Sequence, residues 1–285
     1  MLRIRAPRFL AVPAAAAILS VAHMASALAA PSGLLPKEIR DAGVLRFAGD
    51  FTSAPAAYFD DKHAMRGSDY ELCNAIAAHL GVKSEWTNLP FGGLIPALGA
   101  GRADATCSAM YITPERSQVL AFVPYRLSGH GAAVLKWNPK HVHNLGDICG
   151  LAAVEVLGTV YEKTIKEQSK ACVAAGKPAA DLKTFATAAD VAEQLADGRA
   201  DVWLAGDGIL DYYMRKRPGV FEKAFTRKDL KLIGIGINPR DLALGKAVSR
   251  ALKVMKADGS YRAILAKYGI LQEKIDVFNL HPAER

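Results

Sequence analysis

The stretch from Pro90 to Arg116 reads PFGGLIPALGAGRADATCSAMYITPER, and part of it recurs later in the chain. Residues 97–104 read ALGAGRAD and residues 194–201 read QLADGRAD, and an apolar run follows each copy. Each copy has the pattern of a short helix that ends at a C-cap glycine and is followed by a buried strand. A chain that builds this unit twice is predicted to have two similar α/β lobes. Two lobes enclose a cleft, which is where small ligands usually bind.

Helix and strand patterns alternate on both sides of the repeat, so we predict an α/β fold in which each lobe is a mixed sheet flanked by helices. The last two amphipathic patterns, 241–257 and 261–268, carry too little apolar surface for a lobe of their own and are expected to return to the first lobe. The chain then crosses between the lobes twice, near 129–134 and 231–237, and two parallel crossings form a hinge. The predicted division is residues 30–130 with 236–285 for lobe 1, and 131–235 for lobe 2.

Residues 1–29 are predicted to be a secretory signal peptide. Three arginines precede an uncharged apolar run over residues 9–19, and residues 27–29 form a small-residue cleavage site. A membrane anchor is the alternative, but it needs about 20 unbroken apolar residues, and Pro13 and His23 interrupt this stretch. We expect the mature chain to begin near Ala30 and to lie in the periplasm.

Composition argues against several function classes. The formal net charge is +8, and the basic residues are spread along the chain rather than clustered beside aromatic residues, so no nucleic-acid surface is predicted. No pair of cysteines has metal-ligand spacing, and Gly234-Ile235-Gly236 lacks the third glycine and following helix of a dinucleotide site. We therefore expect no metal and no cofactor, and we expect a monomer.

All four cysteines lie beyond the predicted cleavage site, in a compartment where disulfides persist. Cys149 precedes a predicted strand and Cys172 lies near the end of a helical pattern, and we predict that they pair. Cys73, on a predicted helix, and Cys107, on a predicted strand, either pair or are two separate small buried residues. We prefer the second interpretation.

Several short segments have a shared order and spacing: residues 45–47 (LRF) before Asp50, 67–72 (GSDYEL), 90–98 (PFGGLIPAL), 112–116 (ITPER), 122–125 (FVPY), 158–162 (GTVYE) and 255–261 (MKADGSY). Together they resemble the periplasmic solute-binding proteins of the polar amino acid ABC-transporter family, over nearly all of the predicted mature chain. The resemblance implies a two-lobed, type II binding-protein fold with two hinge crossings. It also implies capture of a small carboxylate-bearing solute, an amino acid or a similar compound, for an inner-membrane ABC permease.

The family resemblance assigns ligand-binding roles to named positions. In the family, the arginine at the position of Arg116 binds the ligand carboxylate, which suits a planar, always charged guanidinium. The aromatic residue at the position of Phe91 stacks on the ligand, although a core phenylalanine is the alternative. Asp50 reaches the ligand side chain in several relatives, and a turn cap is its alternative. The other candidate ligand-binding residues are Ser108, Tyr111, Gly158, Thr159 and Asp207.

This chain also departs from the family pattern. Tyr111 and Val160 stand where relatives usually carry threonine or serine, so two hydroxyl contacts to the carboxylate are altered. The family carboxylate that binds the α-amino group falls at Gly206 here, with Asp207 one residue further along. Either a one-residue bulge presents Asp207 to the cleft, or the ligand has no α-ammonium group there, because an unpaired buried charge would be unfavourable.

Some exported enzymes, including a cyclohexadienyl-type dehydratase, resemble the same fold, so an enzyme is the alternative function. An enzyme needs a proton donor or nucleophile in the cleft. The candidates are His130, which we interpret as a hinge residue with a satisfied ring, and Glu155. Because side chains alternate along a strand, Glu155 is expected to face away from whatever Val156 faces. We therefore expect a binding protein with no catalytic residues.

Overall fold

The computed structural model describes residues 35–284, so the predicted signal peptide lies outside the described residues. The strands are β1 (Val44–Gly49), β2 (Thr52–Ser53), β3 (Ala57–Phe59), β4 (Met65–Arg66), β5 (Lys83–Asn88), β6 (Ala105–Thr106), β7 (Ala121–Leu135), β8 (Ala152–Val156), β9 (Asp181–Phe185), β10 (Val202–Gly206) and β11 (Phe221–Ile237). The helices are α1 (Lys37–Ala42), α2 (Ser68–His79), α3 (Leu94–Gly99), α4 (Pro114–Ser117), α5 (Val160–Ala174), α6 (Ala188–Ala196), α7 (Asp207–Lys216), α8 (Leu242–Ala257) and α9 (Ser260–Lys267). Among these helices, none has the length and apolar character that a membrane crossing requires.

The main sheet has eight strands in the order β5-β1-β6-β11-β7-β10-β8-β9. Strands β5, β1 and β6 run parallel on one side of the β11–β7 pair, and β10, β8 and β9 run parallel on the other. Helices α8 and α9 pack against α2, beside the first group. The fold is therefore the predicted α/β, two-lobed, type II arrangement.

The sequence repeat forms the same local structure twice. Gly101 and Gly198 both have φ of +69°, a left-handed conformation that favours glycine, at the ends of α3 and α6. The aspartate of each copy then binds the backbone N–H of a neighbouring parallel strand. Asp104 Oδ2 accepts from Arg46 N at 2.8 Å, and Asp201 Oδ2 accepts from Ala152 N at 2.9 Å. The repeated aspartates are therefore structural.

Strands β7 and β11 pair along nearly their whole length and run through both groups of strands. The sequence predicted crossings between the lobes near 129–134 and 231–237. In the structure three register shifts interrupt the ladder, at Lys223/Phe225, Arg227/Lys231 and Ile233/Gly234. The longest break lies between Arg227 and Lys231, opposite Ser128 and His130. The lobe boundaries at 130/131 and 235/236 stay a prediction.

Two disulfides join helices to neighbouring segments. The structure contains the predicted Cys149–Cys172 bond, between the segment before β8 and α5. It also joins Cys73 of α2 to Cys107, which follows β6. Our preference for two separate buried residues at Cys73 and Cys107 was wrong, because α2 packs across the end of β6 and brings the two sulfur atoms within bonding distance.

Candidate functional site

A cavity of about 80 Å³ lies between the two groups of strands. Side chains from both groups line it. Five of the predicted ligand-binding residues are among them: Phe91, Ser108, Tyr111, Arg116 and Thr159. Polar or aromatic lining residues that the sequence did not single out as ligand contacts are Ser53, Ser68, Arg126, Ser128, Glu155, Tyr161, Trp203 and Glu273.

Arg116 lies on α4, whose N-cap Thr113 accepts a hydrogen bond from the Arg116 backbone N–H. Its guanidinium donates from Nη1 to Tyr111 O at 2.9 Å and from Nη2 to Gly158 O at 3.2 Å. Burial lowers the pKa of Arg116 to about 10, so the group stays charged at neutral pH. Among residues 35–284, no carboxylate lies within ion-pair distance of this guanidinium. Arg116 is therefore a buried cation beside a cavity, and only two of its five guanidinium N–H groups donate to these carbonyl oxygens.

Phe91 lies in a 3₁₀ turn over residues 91–93, and the guanidinium of Arg116 stands 5.3 Å from the centre of its ring. The contact is a cation–π interaction, which holds the guanidinium plane beside the cavity. The next residue, Gly92, approaches Gly158 so closely that a Cβ on Gly158 would lie 2.9 Å from the Cα of Gly92. Two loops from opposite sides of the cleft meet here through backbone alone.

The carboxylate of Asp50 is fully buried and accepts hydrogen bonds from neighbouring residues of its own turn. It accepts from Thr52 N at 2.9 Å and from Thr52 Oγ1 at 2.7 Å, and Ser53 Oγ approaches it at 3.4 Å. Burial raises the pKa of Asp50. The structure therefore places Asp50 as a turn cap behind the cavity wall rather than in the wall. Ser108 lines the cavity and accepts from Asp50 N at 3.0 Å.

The altered position Tyr111 forms part of a tyrosine pair across the cleft. Tyr161 Oη donates to Tyr111 Oη at 3.0 Å, and Tyr111 Oη lies 3.3 Å from Gly129 O. Burial raises the pKa of both phenols. A hydroxyl is thus present at this wall, but it is carried on a ring and is bound to another phenol.

Thr159 and Gly158 form the N-terminal turn of α5. Thr159 Oγ1 accepts from Glu162 N at 3.2 Å as the N-cap and donates to Val156 O at 2.9 Å. The N–H of Gly158, a candidate ligand-binding residue, donates to Glu162 Oε2 at 2.7 Å. Gly158 contributes its carbonyl to Arg116 and does not line the cavity.

Asp207 is the first residue of α7 and lies outside this cavity. Its Oδ1 forms an ion pair with Lys223 at 3.1 Å, and the same ammonium group pairs with Asp211 at 2.8 Å. Asp207 lines a neighbouring cavity of about 370 Å³ together with Gly129 and Lys223. The one-residue bulge that would present Asp207 to the main cavity is not found, because α7 begins directly at this residue.

Sequence reasoning missed a buried ion cluster on the opposite wall. Arg126 of β7 binds Glu273 through Nη1, and its Nε lies 3.6 Å from Asp69 Oδ1. Burial alone would lower the pKa of Arg126, but the charges of Asp69 and Glu273 and the neighbouring phenols together more than offset this and the pKa rises. A lone arginine in an apolar strand pattern was the available signal, since such a residue needs a buried partner.

Glu155 was expected to face away from the surface that Val156 faces, yet both residues line the cavity. The expectation was wrong because Glu155 is the next-to-last residue of β8, and its side chain folds over the strand end so that Oε1 accepts from Val156 N at 2.8 Å. Burial raises the pKa of Glu155 well above its ordinary value.

His130 lies at the interrupted part of the β7–β11 ladder and lines a third cavity, not the one beside Arg116. Its Nε2 stands 3.7 Å from Asp229 Oδ1. Burial lowers the pKa of His130, and Asp229 partly opposes this effect. Its position next to the register shift agrees with our interpretation of His130 as a residue of the crossing.

Comparisons with known proteins agree with this geometry. The model of the bacterial extracellular solute-binding proteins, family 3, matches residues 45–270. A probable amino-acid ABC transporter periplasmic-binding protein of Sinorhizobium fredii is 28% identical, with 92% of each chain covered. The crystal structure of an ancestral arginine-binding protein bound to arginine superposes with a TM-score of 0.74 at 30% identity, covering 79% of this chain and 98% of that one.

A third similar protein bears on catalysis. The ancestral amino acid-binding protein AncCDT-1, a precursor of cyclohexadienyl dehydratase, superposes with a TM-score of 0.72 at 30% identity, covering 81% of this chain and 97% of that one. That protein is itself described as amino acid-binding. In chemical terms the cavity of the present chain offers a cation for an anionic group, an aromatic ring, hydroxyls and the carboxyl group of Glu155.

Proposed function

The chain belongs to the bacterial extracellular solute-binding proteins, family 3, and from this premise we propose that it captures one small carboxylate-bearing solute. The solute is an amino acid or an amino-acid-like compound, and an inner-membrane ABC permease receives it. The protein is exported, and we place it in the periplasm as a monomer. We propose binding without turnover, in keeping with relatives that are described as binding proteins.

One observation carries the proposal: Arg116 is a buried, charged guanidinium beside a cavity, without a carboxylate partner among residues 35–284. A buried charge is unfavourable unless it is paired, and a planar guanidinium pairs best with a bidentate carboxylate. A solute carboxylate on Arg116 would supply the missing counter-charge. Phe91 packs on the guanidinium, and both side chains line the cavity.

Binding is coupled to closure because the cavity walls come from both sides of the cleft. Arg116 and Phe91 precede the first crossing, whereas Thr159 and Tyr161 follow it. A solute that touches both sides makes its full set of contacts only when the cleft is shut. Binding therefore shifts the population toward the closed form.

Replacement of the cation tests the proposal. Arg116→Ala should weaken binding of the best amino acid in a calorimetric screen by more than about tenfold, as expected for the loss of a charge-assisted bidentate pair. Arg199→Ala is the matched control, because Arg199 is exposed and pairs only with Asp197. An Arg116→Ala variant that keeps the affinity of the unmodified protein would remove Arg116 from the site and the proposal with it.

A further inference from the structure

Glu155 is the feature of the cavity that the proposed function has not used. Its carboxyl group is 1% exposed, and one oxygen, Oε1, accepts from Val156 N. The other oxygen, Oε2, has no hydrogen-bond partner among the described residues. An unpartnered buried acceptor is unfavourable, and more so when it is charged, so this oxygen can accept a hydrogen bond from a solute.

The Thr159 hydroxyl and the Trp203 indole lie near Glu155, but neither forms a hydrogen bond to Oε2. Burial raises the pKa of Glu155, while the Val156 N–H, the Thr159 hydroxyl and the Trp203 indole oppose this effect and Glu162 adds to it. The Trp203 Nε1 itself lacks a hydrogen-bond partner in the described chain. No lysine, arginine or histidine of residues 35–284 lies within ion-pair distance of Glu155.

The other carboxylates near the cleft already have cationic or hydroxyl partners. Glu273 lines the same cavity but is paired with Arg126. Asp207 Oδ1 also lacks a hydrogen bond among the described residues, but this carboxylate forms an ion pair with Lys223 and lines the neighbouring cavity. Asp50 is bound by Thr52 and Ser53. Glu155 is thus the lining carboxyl group that is left for a solute.

Glu155 and Arg116 flank the same short turn. Arg116 donates to the carbonyl of Gly158, Glu155 accepts from Val156 N two residues earlier, and both side chains line the same cavity of about 80 Å³. A solute that meets both groups must therefore carry its negative and positive charges close together. An α-amino acid has this arrangement, because its carboxylate and its ammonium group are attached to one carbon atom.

We propose that Glu155 accepts the α-ammonium group of the solute whose carboxylate lies on Arg116, in place of an aspartate at the start of α7. The inference rests on the proposed function and narrows it to zwitterionic α-amino acids. Such a solute gives the Arg116 cation a carboxylate and the Glu155 carboxyl group an ammonium partner, which an anion without a cationic nitrogen does not do.

The test compares amino acids with their deaminated acids. The twenty standard L-amino acids, L-cystine and the corresponding deaminated carboxylic acids are screened by thermal shift against the unmodified protein. The most stabilising amino acid and its deaminated acid are then titrated calorimetrically into the unmodified protein and into Glu155→Gln. Glutamine keeps the shape of the neutral acid, and Glu155→Asp is titrated as well in case the glutamine variant does not fold. Glu167→Gln, an exposed change on α5, is the control.

Glu155→Gln should weaken binding of the amino acid by at least about tenfold, whereas the affinity for its deaminated acid should change by less than about threefold. The inference is overturned if Glu155→Gln binds the amino acid like the unmodified protein, if Asp207→Asn shows the loss instead, or if only carboxylic acids without an amino group bind. If one of these results is obtained while Arg116→Ala still weakens solute binding, the inference fails but the proposed function stands. Failure of every compound to bind counts against both.

Discussion

Two buried arginines line one cavity, and their counter-ions separate their roles. Arg126 is surrounded by Asp69 from α2 and Glu273 from the 3₁₀ turn at 271–273, so it ties β7 to two distant parts of the chain. Arg116 has only carbonyl oxygens and an aromatic ring around it. Arg126 thus has a structural role in a buried ion cluster, whereas the guanidinium of Arg116 is available to bind an anionic group of a solute.

Substitution of these arginines should therefore affect stability unequally. Arg126→Met leaves two buried carboxylates without a cation and should lower the free energy of unfolding by about 3–5 kcal/mol. Arg116→Met is the matched comparison and should lower it by less, because no carboxylate among the described residues loses its partner. Urea denaturation at neutral pH measures both. Equal losses, or a larger loss for Arg116→Met, would contradict the division of roles.

At this scale the sequence was a partial guide to the site. Arg116 and Phe91 were identified because their segments have a recognisable order and spacing. Asp207 was not resolved, since a single position at a strand end decides whether a side chain meets the cavity or a lysine on another strand. Glu155 was misplaced because alternation along a strand holds only for its interior, and the last side chains can fold over the end.

Among the elements, the disulfides connect segments that the sheet alone does not hold. Cys149–Cys172 closes a loop with a sequence separation of 23 residues and anchors the last turn of α5. Cys73–Cys107 spans 34 residues and ties α2 to the segment after β6. Each bond restricts the unfolded chain, and the restriction grows only slowly with loop length.

Removal of the first bond gives a measurable prediction. The double variant Cys149→Ser with Cys172→Ser should lose about 3 kcal/mol of unfolding free energy, as the chain-entropy estimate for a loop of this size indicates. Denaturant titration without reductant measures the loss with Cys73–Cys107 still intact. A loss below about 1 kcal/mol would show that the unfolded chain gains little freedom when this loop opens.

Most elements follow from local patterns, and the two long strands do not. Helices α3 and α6 end within about two residues of the C-cap glycines Gly101 and Gly198, as the repeat predicts, because a cap is a local signal. Strands β7 and β11 extend well beyond the crossings expected near 129–134 and 231–237. Their continuation through Arg126 and Ser128 depends on partners elsewhere in the chain, which a local pattern does not contain.

Over the whole molecule, contacts across the cleft describe a shut form. Arg116 reaches Gly158 O, the two phenols of Tyr111 and Tyr161 meet, and Lys163 pairs with Glu115 at the rim. The Lys163 ammonium group holds the pKa of Glu115 at about 2, so the rim pair persists at neutral pH. The closest approach is the backbone contact between Gly92 and Gly158.

A side chain at this contact should hinder closure. Gly158 has φ of +83° and its added Cβ would lie 2.9 Å from Gly92 Cα, so Gly158→Ala combines backbone strain with a clash that exists only when the cleft is shut. We expect at least about fivefold weaker binding of the best amino acid, by calorimetry, since binding draws on the closed form.

Gly92→Ala is the control, because its Cβ would meet Leu157 O at 3.5 Å, an ordinary contact. It should bind like the unmodified protein. Full affinity in Gly158→Ala would mean that solute binding does not require the two loops to touch.

The continuous pairing of β7 with β11 limits how the molecule can move. Two halves joined by one hydrogen-bonded ribbon cannot slide past each other without breaking a row of bonds on either side. The longest break in the pairing lies between Arg227 and Lys231, and we expect the ribbon to bend there. Opening is then a rotation about this break rather than a translation, so an open and a closed molecule would differ mainly in one angle.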